Sequence, residues 1–137
     1  MTVDVNPDAS QKGMLCIRIT GAASAANAGL GEILNPEGVP VVITRAFLHF
    51  RTGSTGAANL DIGVGASGAK CTDIVSAMDV IQATVGGKVT YGPAAQVAET
   101  EVPTAIWDED EYLTFTGSAT TAGLDADLYV EYLRLTE

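Results

Sequence analysis

Residues 61–72, DIGVGASGAKCT, hold the densest chemical signal in this 137-residue chain: Gly63, Gly65 and Gly68 satisfy G-x-G-x-x-G, and Lys70 and Thr72 follow. Such a loop cradles a pyrophosphate when it leaves a strand and opens a helix whose free N–H groups and dipole meet the anion. Here the rest of the site does not follow. Thr72 or Asp73 caps two helical turns at best, and the acidic ribose partner expected about 20 residues further on is replaced by VGGKVTYG at 85–92. The phosphate-loop alternative, G-x-x-x-x-G-K-[ST] from Gly63, needs lysine where Ala69 stands, and a lysine displaced by one residue misses the amide nest it must work with. Strand geometry accounts for the glycines better. With Leu60, Ile62 and Val64 facing inward, Gly63 and Gly65 face outward, where a missing Cβ permits a bulge or a close backbone approach. The other use of such a bare strip is contact with another subunit.

The remaining reactive residues are scattered. His49 is the only histidine, so no multi-histidine metal site can form, and any Ser-His-Asp or Cys-His nucleophile would depend on it alone. It falls on the polar face of a strand, between Leu48 and Phe50, and reads as a surface or interface residue. WDEDEY at 107–112 gathers four carboxylates, Asp108 to Glu111, but lacks the glycine-spaced D-x-D-x-D-G of a calcium loop and reads as a solvated acidic turn. Asp125 and Asp127 sit two apart on a strand, like a paired-carboxylate site. With Glu131 on the same face, they read as a charged ladder toward water. Cys16 and Cys71 are expected as small buried hydrophobes and not as a bridge. The sequence therefore predicts a non-enzyme with no catalytic residues, no cofactor and no metal.

The elements that carry these residues are short strands. Leu15, Ile17 and Ile19 alternate with Cys16, Arg18 and Thr20, the period of a half-buried strand. Residues 21–29, GAASAANAG, read as loop, and Asn35-Pro36-Glu37-Gly38 places proline at the second position of a turn. In VVITRAFLHFRT the even positions Val42, Thr44, Ala46, Leu48 and Phe50 form the expected core face, and GSTGA then turns the chain into ANLDIGVG as an antiparallel hairpin. Residues 70–80 fit either a short helix or an irregular strand. Gly86-Gly87 signals a hairpin between two β-like runs. EYLTFTGSA and LDADLYVEYLRL form a closing hairpin, with Leu124, Ala126, Leu128, Val130 and Tyr132 inward.

Composition agrees. At this length one domain buries roughly 65–70% of its unfolded surface, and many glycines with few aromatics favour strands and tight turns. Residues 1–13 read as an extended arm and 14–137 as one antiparallel β-sandwich with at most one or two helical turns. Seventeen acidic against seven basic residues give a net charge of -10, a field that repels nucleic acid and anionic membranes and favours a basic patch on another protein. The N-terminus carries no signal-peptide pattern, and the apolar run 39–50 is far short of the ~20 residues of a spanning helix. The expected compartment is the cytosol in which the chain is made.

Thr55 to Val64, Asp73 to Val80 and Tyr129 to Tyr132 together carry a resemblance. The T-G-A-A-x-L-D-I-G-V turn and strand, the segment from Asp73 ending in D-V, which has Val75 where the family pattern has Ile or Leu, and the terminal Y-h-E-Y (h apolar) resemble small virion structural proteins of tailed bacteriophages. The resemblance implies a jelly-roll sandwich on the capsid surface of a virion, as a head-decoration or head-fibre protein, often trimeric, with the major capsid protein as partner. On that reading the expected contacts are the arm, with Thr2, Val3, Val5 and Pro7, and the strip at Gly63 and Gly65. The alternative is a carbohydrate- or host-surface-binding module on a fibre, which would need exposed aromatic platforms from Trp107, Tyr91, Tyr112 or Tyr129.

Overall fold

The computed structural model describes residues 12–23, 26–91 and 105–135. In chain order the strands are β1 (Lys12–Thr20), β2 (Gly31–Leu34), β3 (Val41–Thr52), β4 (Asn59–Gly65), β5 (Val75–Asp79), β6 (Val89–Tyr91), β7 (Ala105–Trp107), β8 (Tyr112–Gly117) and β9 (Asp125–Arg134). One helical turn, α1 (Gln82–Val85), lies between β5 and β6. The named strands pair antiparallel in two sheets, an all-β sandwich as expected. Sheet A runs β1-β9-β3, with β6 and β7 sharing the far side of β3, and sheet B runs β2-β8-β4-β5.

The pairing is nested: β1 with β9, β2 with β8, β3 with β6 and β7, β4 with β5. A long antiparallel hairpin that is then wrapped, so that successive segments fall in opposite sheets, produces this order. Leu48, Phe50, Leu128 and Val130 of sheet A meet Leu60, Ile62, Leu113 and Phe115 of sheet B, all buried, in one apolar core.

The phase of β9 follows the sequence: Ala126, Leu128, Val130 and Tyr132 are buried while Asp125, Asp127, Tyr129 and Glu131 are half-buried on the other face. β3 departs from it. Val41 and Ile43 are buried at its start, and Ala46, Leu48 and Phe50 further on, because the register against β9 shifts between Ile43 and Arg45. A bulge adds one residue and flips the alternation; Thr44 occupies it, its hydroxyl donating to the Glu131 carbonyl at 3.2 Å.

Both expected hairpins, β3 with β4 and β8 with β9, are replaced by crossings between the sheets. Six residues separate Thr52 from Asn59 and seven separate Gly117 from Asp125, enough to span the ~10 Å between packed sheets. Alternation alone does not distinguish the two arrangements, since each strand turns its apolar face inward either way. The crossings are pinned to each other: Thr55 N–H donates to Ala122 O at 2.9 Å and its hydroxyl to the same carbonyl at 3.1 Å.

Smaller differences have local causes. The IQATV run forms α1 and not a strand, since Asp79 accepts the Ile81 N–H at 3.0 Å and the Thr84 hydroxyl at 3.2 Å. Residues 75–79 take the irregular-strand option, with Ala77 at φ +49°. β1 begins at Lys12, two residues before the expected arm boundary. The Asn35–Gly38 turn is as read: Gly38 lies at φ +72°, and Asn35 Oδ1 accepts the Glu37 N–H at 2.8 Å.

Candidate functional site

The glycine segment is closed by the chain itself. After β4 the loop 66–74 doubles back over the outer face of sheet B and leads into β5, so no helix follows Gly68. A Cβ on Gly63 would come within 2.2 Å of Asp73 Oδ1 and 2.7 Å of Cys71, and one on Gly65 within 2.7 Å of Cys71 Sγ. These two glycines, read as a bulge or close approach or else as a contact strip for another subunit, admit the chain's own loop. The loop's capacity for an anion is likewise filled from within. Gly68 N–H donates to the Glu32 carboxylate at 2.8 Å and the Ser67 hydroxyl joins it, which together hold Glu32 below the usual carboxylate range. Lys70 Nζ lies 3.5 Å from the buried Asp61 carboxylate, which also accepts the Ala77 N–H at 2.8 Å inside the β5 bulge.

Sheet B is thus sealed on its outer side. Thr114 and Thr116, which point outward, are buried, and Thr116 Oγ1 accepts the Ala28 N–H at 2.9 Å from the loop before β2. Sheet A has no such cover among the described residues. Its outer face carries the ladder read from sequence, now with partners. Arg18 binds Asp125 through two bonds of 3.1 Å, and Arg51 binds Asp125 at 2.6 Å and also Asp127. Hydrogen bonds from Arg51 and then Arg18 hold the Asp125 carboxyl far below its ordinary range, and Arg51 lowers Asp127 in the same sense. A glycosidase acid needs the opposite shift, so the ion pairs favour the ionised carboxylates over a proton-donating acid.

His49 lies on the same face beside Asp127, its Cα register partner on β9. The Phe47 and Tyr129 rings stack at 4.8 Å, with the Arg45 guanidinium over Phe47 at 5.7 Å. Cys16 is exposed here and Cys71 half-buried beneath Gly65, which corrects the expectation that both are buried; both thiols are free. Among the described residues no three His, Cys, Asp or Glu side chains gather to hold a metal ion.

Of the aromatic platforms, Trp107 is 0% exposed, its Nε1 donating to the Glu111 carbonyl at 2.8 Å, so it is a core residue. Tyr112 is half-buried at the end of β8, and Tyr129 is engaged with Phe47. Tyr91 falls in β6 with its side chain outside the described set, and Thr2, Val3, Val5 and Pro7 lie outside the described residues altogether.

One surface was not anticipated. Among the described residues Met14 (60% exposed), Leu34, Val39, Ile106 (56%), Leu133 and Leu135 are six of the seven exposed large hydrophobics, and all lie toward one end of the sandwich. There Lys12 pairs with Leu133, Leu133 with Val42, and Val42 with Ile106 across sheet A, while Leu135 N–H donates to Pro40 O at 2.9 Å. Asn35 ties the end together, its Nδ2 donating to Val39 O and Trp107 O at 2.9 Å each. The chain enters β1 at this end. The signal for it in the sequence was an apolar residue in a polar phase, Met14 in β1 and Leu133 in β9. No family model, curated protein or solved structure matches this chain.

Proposed function

We propose that this chain is a virion structural protein that decorates and stabilises the capsid of a tailed bacteriophage. The carrying observation is the apolar end: six exposed large hydrophobics surround the point where the N-terminal arm joins β1. Exposed apolar patches with polar rims mark docking surfaces, and the rim here carries the exposed carboxylates Asp108, Glu109 and Asp110. On this reading the arm and the end together seat on the major capsid protein at the outer surface of the head, and copies associate as a homo-oligomer, the trimer that the resemblance implies. The nested strand order supports reading the sandwich as a jelly roll, an architecture shared by capsid and lectin domains. Binding only to the folded chain, each contact stabilises subunit and shell together by mass action.

The test is co-sedimentation with heads assembled without this protein. Wild type should pellet with heads, while deletion of residues 2–11 or the pair Ile106→Asp and Leu133→Asp should abolish pelleting and leave the circular dichroism unchanged. Wild-type protein that stays in the supernatant would overturn the proposal. The carbohydrate reading loses its strongest platform with Trp107 in the core; Phe47 stacked on Tyr129 is what favours it still. Glycan-array binding lost on Tyr129→Ala would establish it.

A further inference from the structure

Sandwich edges are templates for further pairing, and natural sheets blunt them by shortening, bulging or covering them. Three of the four edges here are blunted. β2 has four residues, β6 and β7 have three each, and β5 is broken by the bulge at Ala77. β1 is different: nine residues in unbroken register with β9 on one side, and no strand on the other among the described residues. Its inner row is also incompletely covered. Leu15 and Ile17 are only half-buried, and Ile17 lines a groove of about 170 Å³ together with Leu30, Ile33 and Phe115.

We propose that β1 pairs edge to edge with β1 of a second copy, antiparallel about a two-fold axis at Cys16. The register follows from the strand. Cys16 is its middle residue, so this centre alone overlaps all nine residues, with Lys12 facing Thr20, Met14 facing Arg18 and Leu15 facing Ile17. Centring on Leu15 would set Lys12 against Arg18, and like charges directly opposite destabilise a pair. The cations of β1 do not obstruct the approach, because Lys12 turns to Glu131 at 3.3 Å and Arg18 to Asp125 at 3.1 Å, both on β9. Pairing supplies partners for the edge N–H and C=O groups that no described strand meets and extends the half-covered inner row across the joint. Such a two-fold contact is isologous and closes on itself, so it joins copies in pairs, between trimers and not within one. It goes beyond the capsid reading and needs no capsid.

Purified full-length protein, examined by size-exclusion chromatography with light scattering, tests it without heads. Wild type and Cys16→Ser should run as dimers or as larger assemblies containing the pair. Cys16→Lys, which sets two ammonium groups face to face at an exposed position, should lose that association with its circular dichroism unchanged. Mild diamide oxidation should cross-link wild type and Cys71→Ser into disulfide dimers and leave Cys16→Ser uncross-linked. A monomeric wild type, an assembly indifferent to Cys16→Lys, or no cross-link in Cys71→Ser overturns the inference. Head binding by a monomeric wild type would overturn this contact and leave the capsid reading standing.

Discussion

Asp73 and Gly63 fit as a side chain into a missing one. The Asp73 carboxylate accepts the Val64 N–H at 3.2 Å and occupies space that a Cβ on Gly63 would enter, 2.2 Å from Oδ1. Gly63→Ala is therefore expected to displace the 66–74 loop and lower stability by about 1–3 kcal/mol, the usual cost of overpacking. Urea unfolding measures it; a midpoint equal to wild type would mean the loop shifts freely.

Asn35 is buried and serves two connections at once, the β2–β3 turn through Glu37 N–H and Val39 O, and the end of β7 through Trp107 O. Asn35→Ala leaves those groups without partners and should cost about 1–3 kcal/mol. Hydrogen exchange should speed up at Glu37, whose N–H loses its acceptor.

Trp107 belongs to the core, so Trp107→Ala should destabilise the sandwich by about 3–5 kcal/mol through the cavity it leaves. Its fluorescence should be blue-shifted in the folded protein and move to the red on unfolding. A solvent-like emission from the folded protein would contradict its burial.

The lowered carboxyls of Asp125 and Glu37 set an acid limit to stability, and Tyr132 an alkaline one. Arg51 and Arg18 lower Asp125, and hydrogen bonds from the Tyr132 hydroxyl and then Arg134 lower Glu37. A carboxyl depressed in the folded state contributes stability above its unfolded value, about 4, that is lost as the pH falls toward the folded one. The stability gap between wild type and Asp125→Asn should therefore shrink on acidification. Tyr132 behaves the other way. Burial, then its bond to Glu37, pushes it up to about 12, so its contribution is complete below about pH 10 and is lost between there and the folded value. Tyr132→Phe should flatten the alkaline limb of the stability curve.

Strands whose phase is unbroken were legible in the sequence. In β1 and β9, Ile19, Leu128 and Val130 fall inward as alternation requires, and the Asn35–Gly38 turn follows from its residue types. β3 was misphased because a bulge at Thr44 leaves no local mark. The glycine segment was read as a bulge or close approach, with a subunit contact as the other use, and what approaches was hidden: Cys71 and Asp73 are near in sequence, and only the fold lays them over β4. The apolar end was legible only in part: Met14 and Leu133 stand in the polar phase of their strands, but Leu34, Ile106 and Leu133 come from distant segments that only the fold gathers.

By itself the sequence determined that this chain would form a sandwich of short strands with an acidic surface, because period-two alternation and net charge act residue by residue. The tertiary structure decided which strands are neighbours. Inward-facing side chains are equally content beside or across from the next strand, so loop span and the nested pairing of distant segments chose the crossings. That choice laid loops over sheet B, left β1 with no second strand partner among the described residues and gathered the apolar end.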